Sequence, residues 1–239
     1  MAILPKEQHF TGERLSDVIL GGQDGLVNVL GVVLAVASAT SNFFIILVAG
    51  LAATFAETIS MAAVAYTSTR ADRDYYLSEL KREEREVEEM PEKEVEEIRE
   101  IYKQKGFKGK LLNDVVKVIT SNKKIWIDTM MSEELNLSPK LGKSPIKSAL
   151  IVFISTLVGS LIPLMPFILL PVGNAIVASL IISVLVLFVV GVIKAKLTVG
   201  NWFVSGLELA IIGTVAAGTG YFIGLGLGKL FGTNVAGVG

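Results

Sequence analysis

An all-α membrane protein is the fold class that the sequence predicts, and three observations carry it. Hydrophobic residues make up 51% of the chain and come in long blocks. The charges collect elsewhere: Arg70 to Lys147 holds 17 of the 22 Lys and Arg and 17 of the 23 Asp and Glu. Finally, five segments reach the ~20 mostly apolar residues that a helix needs to cross a bilayer at 1.5 Å per residue.

The first segment runs from Asp17 to Thr40, and "SATSN" joins it to the second, Phe43 to Thr67. The third covers Lys147 to Ile168, the fourth Val172 to Ile193, and the fifth Trp202 to Phe222 or slightly beyond. Proline-rich "PLMPFILLP" links the third to the fourth, and "KAKLTVGN" links the fourth to the fifth. Residues 1–69 therefore read as transmembrane helices one and two, 70–146 as a soluble domain, and 147–239 as transmembrane helices three to five. Basic residues precede segment one (Lys6, Arg14) and follow segment four (Lys194, Lys196). The positive-inside rule then puts the N-terminus and residues 70–146 in the cytosol and the C-terminus outside.

Neither glycine nor proline interrupts "YTSTRADRDYYLSELKREEREVEEM", so helix two is expected to continue to Pro91. Pro91 suits the first position of a second helix, closed at Gly106. The stretch "LLNDVVKVITSNKKIWIDTMMSEELNL" reads as a third, ending near Pro139.

No cysteine is present and His9 is the single histidine, so thiolate and imidazole clusters are excluded and a metal site must use oxygen ligands, with methionine sulfur as a supplement. A net charge of -1 gives no sign of nucleic-acid binding. The acidic start "MAILPKEQHFTGERLSD" does not read as a cleaved signal peptide.

Asp24 in "GGQDGLVNVLG" and Glu57 in "FAETISMAAVAY" fall inside predicted spans, where an ionisable group costs several kcal/mol and marks a pathway or a paired site. Met61 follows Glu57 by four residues and Asn28 follows Asp24 by four, each on its partner's helical face. A carboxylate beside a thioether suits a borderline divalent ion such as Fe(II). Glu208 in "GLELAIIG" is a third acid within a span, with either a structural hydrogen bond or a proton-handling role.

Residues 81–100 hold ten glutamates. Glu83 and Glu86 share one helical face, as do Glu94 and Glu97 on the next helix, and folding about Pro91 would bring the pairs together. Such acids repel unless a cation or proton enters. A solvated charged surface fits the spacing as well. Met130 and Glu134 repeat the pairing of sulfur with carboxylate four residues apart, although a Met and Trp core stripe through Trp126 is favoured by spacing alone.

The chain resembles the vacuolar iron transporter family over nearly its whole length. The resemblance is carried by "DVILGGQDGLVNVLG", "ISMAAVAYTSTRADRDYYLSELKREEREVEE" and "NKKIWIDTMMSEELNL". It implies a homodimer in the lipid bilayer, five transmembrane helices per chain, and a cytosolic three-helix metal-binding domain between helices two and three. By the same resemblance Asp24 and Met61 belong to the pathway, and Glu83, Glu86, Glu94, Glu97, Met130 and Glu134 to the domain's metal site. Many plant and fungal-type members carry their segment-two acid where this chain has Ala53; here the acid is Glu57, one turn nearer Met61.

The function expected is proton-coupled export of a divalent metal from the cytosol, with Fe(II), Mn(II), Co(II) and Zn(II) as candidate substrates and no organic cofactor. A membrane-anchored metal sensor or scaffold is the alternative. A di-iron oxidase would need Glu-x-x-His pairs that His9 cannot supply, so the protein is not expected to be an enzyme. The expected location is a prokaryotic cell membrane, or a vacuolar one in a eukaryote.

Overall fold

A computed structural model describes residues 12–137 and 144–231, with side chains described from Leu15. Lys6, His9 and Pro139, and the side chain of Arg14, lie outside the described residues. All regular structure among them is helical: α1 (Gly12–Ala39), α2 (Phe43–Glu89), α3 (Pro91–Gln104), α4 (Gly109–Thr120), α5 (Lys123–Thr129), a π-helical turn (Met130–Glu134), α6 (Pro145–Leu161), α7 (Met165–Leu169), α8 (Val172–Leu197) and α9 (Trp202–Leu230). The chain divides into one unit of Met1–Tyr66 with Pro145–Gly239 and a second of Thr67–Ser144.

Asparagine starts three of these helices by the same device. The Asn42 side-chain oxygen accepts from the backbone N–H of Phe44 (2.9 Å), Asn122 from Lys124 (3.0 Å) and Asn201 from Phe203 (2.9 Å). Each satisfies donors that a helix N-terminus otherwise leaves open.

Four helices in the first unit are long and apolar enough to cross a membrane: α1 from Leu15, α2, α8 and α9. The expected third span differs. Its helix α6 stops at Leu161 after 17 residues, Ile162–Leu164 form turns, and α7 adds a single short helix. Pro163 and Pro166 explain the break, since each lacks an N–H for the helical ladder and crowds the preceding turn. The Pro163 carbonyl freed by the break accepts a hydrogen bond from buried Ser179 on α8 (2.8 Å).

At the centre of this unit, Val29, Leu30, Val33, Leu34 and Ala37 of α1 form a buried cluster with Ile46, Leu164, Phe167, Ala175 and Ala217. Helices α6 and α9 press on α1 at backbone distance. A Cβ on Gly159 would lie 2.2 Å from the Gly22 carbonyl oxygen, and one on Gly224 would lie 1.9 Å from that of Ala35. Only glycine permits such approach, and in lipid, where apolar side chains gain nothing from leaving water, close backbone packing is a main source of helix association. Gly159→Val is expected to lower the thermal midpoint of the detergent-purified protein sharply, at a cost of about 3 kcal/mol or more for forced separation of α1 and α6. A midpoint within error of the parent would contradict the contact.

The second unit is built on Val87, Ile98, Leu112, Val116, Ile119, Trp126, Ile127, Met130 and Met131. Helix α3 starts at Pro91, as its sequence predicts, and ends at a Schellman motif: Gly106 at φ 97° donates to the Lys103 carbonyl and Phe107 to that of Tyr102. The Tyr102 and Phe107 rings, 5.6 Å apart, supply the apolar contact of that motif. The expected single third helix is in fact divided. It breaks at Ser121 and Asn122, where the Asn122 side chain competes for the backbone donors of the next turn, and it ends in the π-turn, with Leu135 N–H bonded to the Met130 carbonyl.

Candidate metal sites

In the first unit, α1 and α2 bring together three of the four residues expected in a pathway. The Asp24 carboxyl lies beside the side chains of Glu57 and Asn28. Two carboxyls in such contact hold a proton between them or surrender it to a cation. Asp24 also lines a cavity of about 190 Å³ with Leu20, Gln23, Val27 and Ile212. Glu57 and Met61 are both partly buried, beside the fully buried Thr54 and Thr58. The hydroxyls of these threonines donate back to the carbonyls of Gly50 and Thr54, which lets a polar stripe enter the packing without loose donors. Ala53 is taken up by packing against the α1 cluster. Glu208 stands apart, its side chain 57% exposed and 3.9 Å from the Lys194 ammonium.

In the second unit the glutamate run divides by side. Glu83 and Glu94 are buried and Glu86 and Glu97 partly so, whereas Glu84, Glu88, Glu89, Glu92, Glu96 and Glu100 are exposed. The exposed set pairs in part with surface cations: Glu88 with Lys123, Glu96 with Arg99 and Glu100 with Lys103. On the inner side, carboxylate oxygens of Glu83, Glu86 and Glu94 lie within 4.8 Å of one another. Neither Glu94 oxygen has a hydrogen-bond partner, nor has Oε2 of Glu83, although the two side chains are 0% and 1% exposed. Buried carboxylate oxygens without donors are rare and call for a proton or a cation.

The electrostatics agree. Burial first, then the charges of Glu97 and Glu83, push the Glu94 carboxyl from the ordinary 4.5 to about 7, against the pull of Lys93. Burial and Glu134 raise Glu83, opposed by Arg82. Glu134 is exposed as a whole, yet desolvation of its carboxyl and the nearby Glu97 raise it too. Met130, at the head of the π-turn, is fully buried in the apolar cluster with Trp126.

Two cations sit among these acids and are no mere partners of a solvated surface. Arg82 lies 2.8 Å from Glu79, 3.4 Å from Glu83 and 3.7 Å from Glu86, and Lys93 lies 2.9 Å from Glu97. Both are resident cations of the cluster, and Glu79 is its unforeseen sixth acid. The signal was present in the spacings of three and four residues from Arg82 to Glu79 and Glu86 and from Lys93 to Glu97.

If a divalent cation binds here it must displace the proton that Glu94 retains below about pH 7. Apparent affinity is therefore expected to rise with pH up to about 7 and level off above it, with proton release seen below that point and not at pH 8. Without a cation the sign for stability reverses. The folded unit holds this proton more tightly than the unfolded chain, so stability falls as pH rises from 4.5 through about 7. Calorimetric titration of the full protein with Co(II), in buffers of different ionisation enthalpy, measures both affinity and proton count.

Apolar helices of spanning length, joined to a charged helical unit, define a multi-pass membrane protein. The sequence pattern of the VIT family matches residues 15–225. The chain is 34% identical over 218 residues to "Vacuolar iron transporter 1" of Tulipa gesneriana, covering 90% of this chain and 88% of the relative. It is 35% identical over 217 residues to "Vacuolar iron transporter 1" of Arabidopsis thaliana, covering 90% and 87%. A "Vacuolar iron transporter" of Toxoplasma gondii is 31% identical over 242 residues, covering 96% and 80%. The chain belongs to the VIT family, whose members are transporters and not enzymes.

Proposed function

We propose that the protein exports Fe(II) from the cytosol in exchange for protons, with Mn(II), Co(II) and Zn(II) as further substrates. The observation that carries this reading is the meeting of Asp24, Asn28 and Glu57 between two apolar helices, where a purely structural span has no use for a pair of acids. Met61, one turn from Glu57, adds a soft ligand for a borderline ion. The names of the relatives supply iron as the first substrate.

In this mechanism Glu83, Glu86, Glu94 and Glu97, with Met130 and Glu134, gather cations from the cytosol by electrostatic focusing. Asp24 and Glu57 accept the ion when they give up their shared proton, and protons arriving from the far side displace it again. Glu208 is a candidate for handling that proton. The assembly proposed is a homodimer of five-span protomers, with α6, the proline break and α7 together making the third crossing and residues 70–146 in the cytosol.

The test is Fe(II) flux into sealed proteoliposomes under an imposed pH gradient. Uptake should quicken when the receiving side is acid, and a pH-sensitive dye should report protons leaving as metal enters. Folded protein that carries no metal at any gradient would leave only a sensor or scaffold.

A further inference from the structure

A second feature of the first unit lies on the side of α1 away from Asp24. Helices α1, α6 and α8 enclose an apolar groove of about 490 Å³, lined by Leu15 and Ile19, Ile154 and Val158, and Val190 and Ile193 among others. This is the size of sites that take small organic ligands. Its shape is more telling. The lining residues run from Leu15 to Leu26 on α1 and from Ile151 on α6 to Ile162 just past its end. Each run rises about 16 Å, close to half of a hydrocarbon core of about 30 Å. The groove is one leaflet deep.

One end of the groove is basic. Lys147 precedes Ile151 by four residues on α6, and Lys194 follows Val190 by four on α8, so each lysine continues the groove face of its own helix beyond the last apolar residue. Lys147 is exposed, and Lys194 is 39% exposed with Glu208 at 3.9 Å, too far for a full hydrogen bond. Asp17, the acid at this level of α1, falls on the side of the helix opposite Leu15 and Ile19 and accepts a hydrogen bond from Ser148 (2.7 Å). Asp24 and Asn28 also lie on that opposite side, so the groove faces away from the acidic pair.

We propose that this groove is a binding site for one anionic phospholipid, an acyl chain lying between α1, α6 and α8 and the phosphate held by Lys147 and Lys194. Basic pockets between spanning helices hold anionic headgroups by charge, and a groove of leaflet depth fixes the chain that a bare charged patch would leave free.

Native mass spectrometry of the detergent-purified protein, titrated with phosphatidylglycerol or with phosphatidylcholine of the same acyl chains, tests this. The parent should bind the anionic lipid at least about fivefold more tightly, the preference expected from a single lysine at the surface. Lys147→Gln with Lys194→Gln should bring the ratio close to one, and Lys229→Gln on α9 should leave it unchanged. Val158→Trp, which fills the groove, should weaken binding of both lipids. Equal affinity of the parent for the two lipids would overturn the proposal, as would a full preference in the double variant or an equal loss in Lys229→Gln.

Discussion

Asp24→Asn and Glu57→Gln are each expected to reduce metal flux to the level of protein-free vesicles while leaving a folded protein. The two carboxyls lie side by side, and neither replacement changes the volume there appreciably. What changes is the charge the pair can offer. With both carboxyls ionised the pair presents two negative charges to a divalent ion; with one amide it presents one, and the charge of the ion is only half matched. The amide cannot release a proton, so coupling should fail even where residual binding survives. Flux measured at matched protein density, beside size-exclusion profiles of each variant, decides the matter. Near-normal transport by both would remove the pathway from these helices.

The second large effect is expected at the glutamate cluster. Replacing Glu83, Glu86, Glu94 and Glu97 together by Gln should weaken Co(II) binding in the second unit by on the order of a hundredfold, since cation affinity follows the number of charged ligands. Transport should slow at low metal and recover when metal is abundant. Stability in the absence of metal should not fall, because the replacement removes buried acids whose desolvation, and then mutual repulsion, raise Glu94 to about 7, while Glu79 remains to pair with Arg82 at 2.8 Å. Calorimetry and a thermal melt of the same samples separate these outcomes. Undiminished Co(II) affinity would mean that the inner glutamates are no more than part of a charged surface.

The comparison of sequence with structure has a clear physical pattern. Whatever depends on helical periodicity was legible: the spacing of three residues in Glu83 with Glu86 and in Glu94 with Glu97 picked out the four glutamates that turn inward from a run of ten. Local punctuation was legible too, as at Pro91 and Gly106. Competition between a side chain and the backbone was not. Asn122 sits in a stretch whose hydrophobic pattern continues across it, so periodicity alone joined α4 to α5. In the same way the apolar count from Lys147 to Ile168 outweighed Pro163 and Pro166, although those residues end α6. The roles of Arg82 and Lys93 depend on how α2 and α3 meet, which no single-helix pattern contains.

The glycine contacts of α1 bear on how an alternating-access cycle could run. Where two helices touch through Gly22 and Gly159, or Ala35 and Gly224, sliding one along the other would drive backbone into backbone within a fraction of a turn. Such contacts favour α1, α6 and α9 moving together. Helix α2 meets its neighbours differently: Gly50 faces the pliable ends of Leu164 and Val33, and the threonine hydroxyls beyond it bond to their own helix and not across the gap. A contact made of side-chain tips can shear, with rotamer changes in place of steric collision. In the proposed transport cycle Asp24 would then belong to the stiffer wall and Glu57 to the wall that can shear. Opening the site to one side or the other amounts to changing the separation of two carboxyls, the coordinate to which a bound ion or a shared proton is most sensitive.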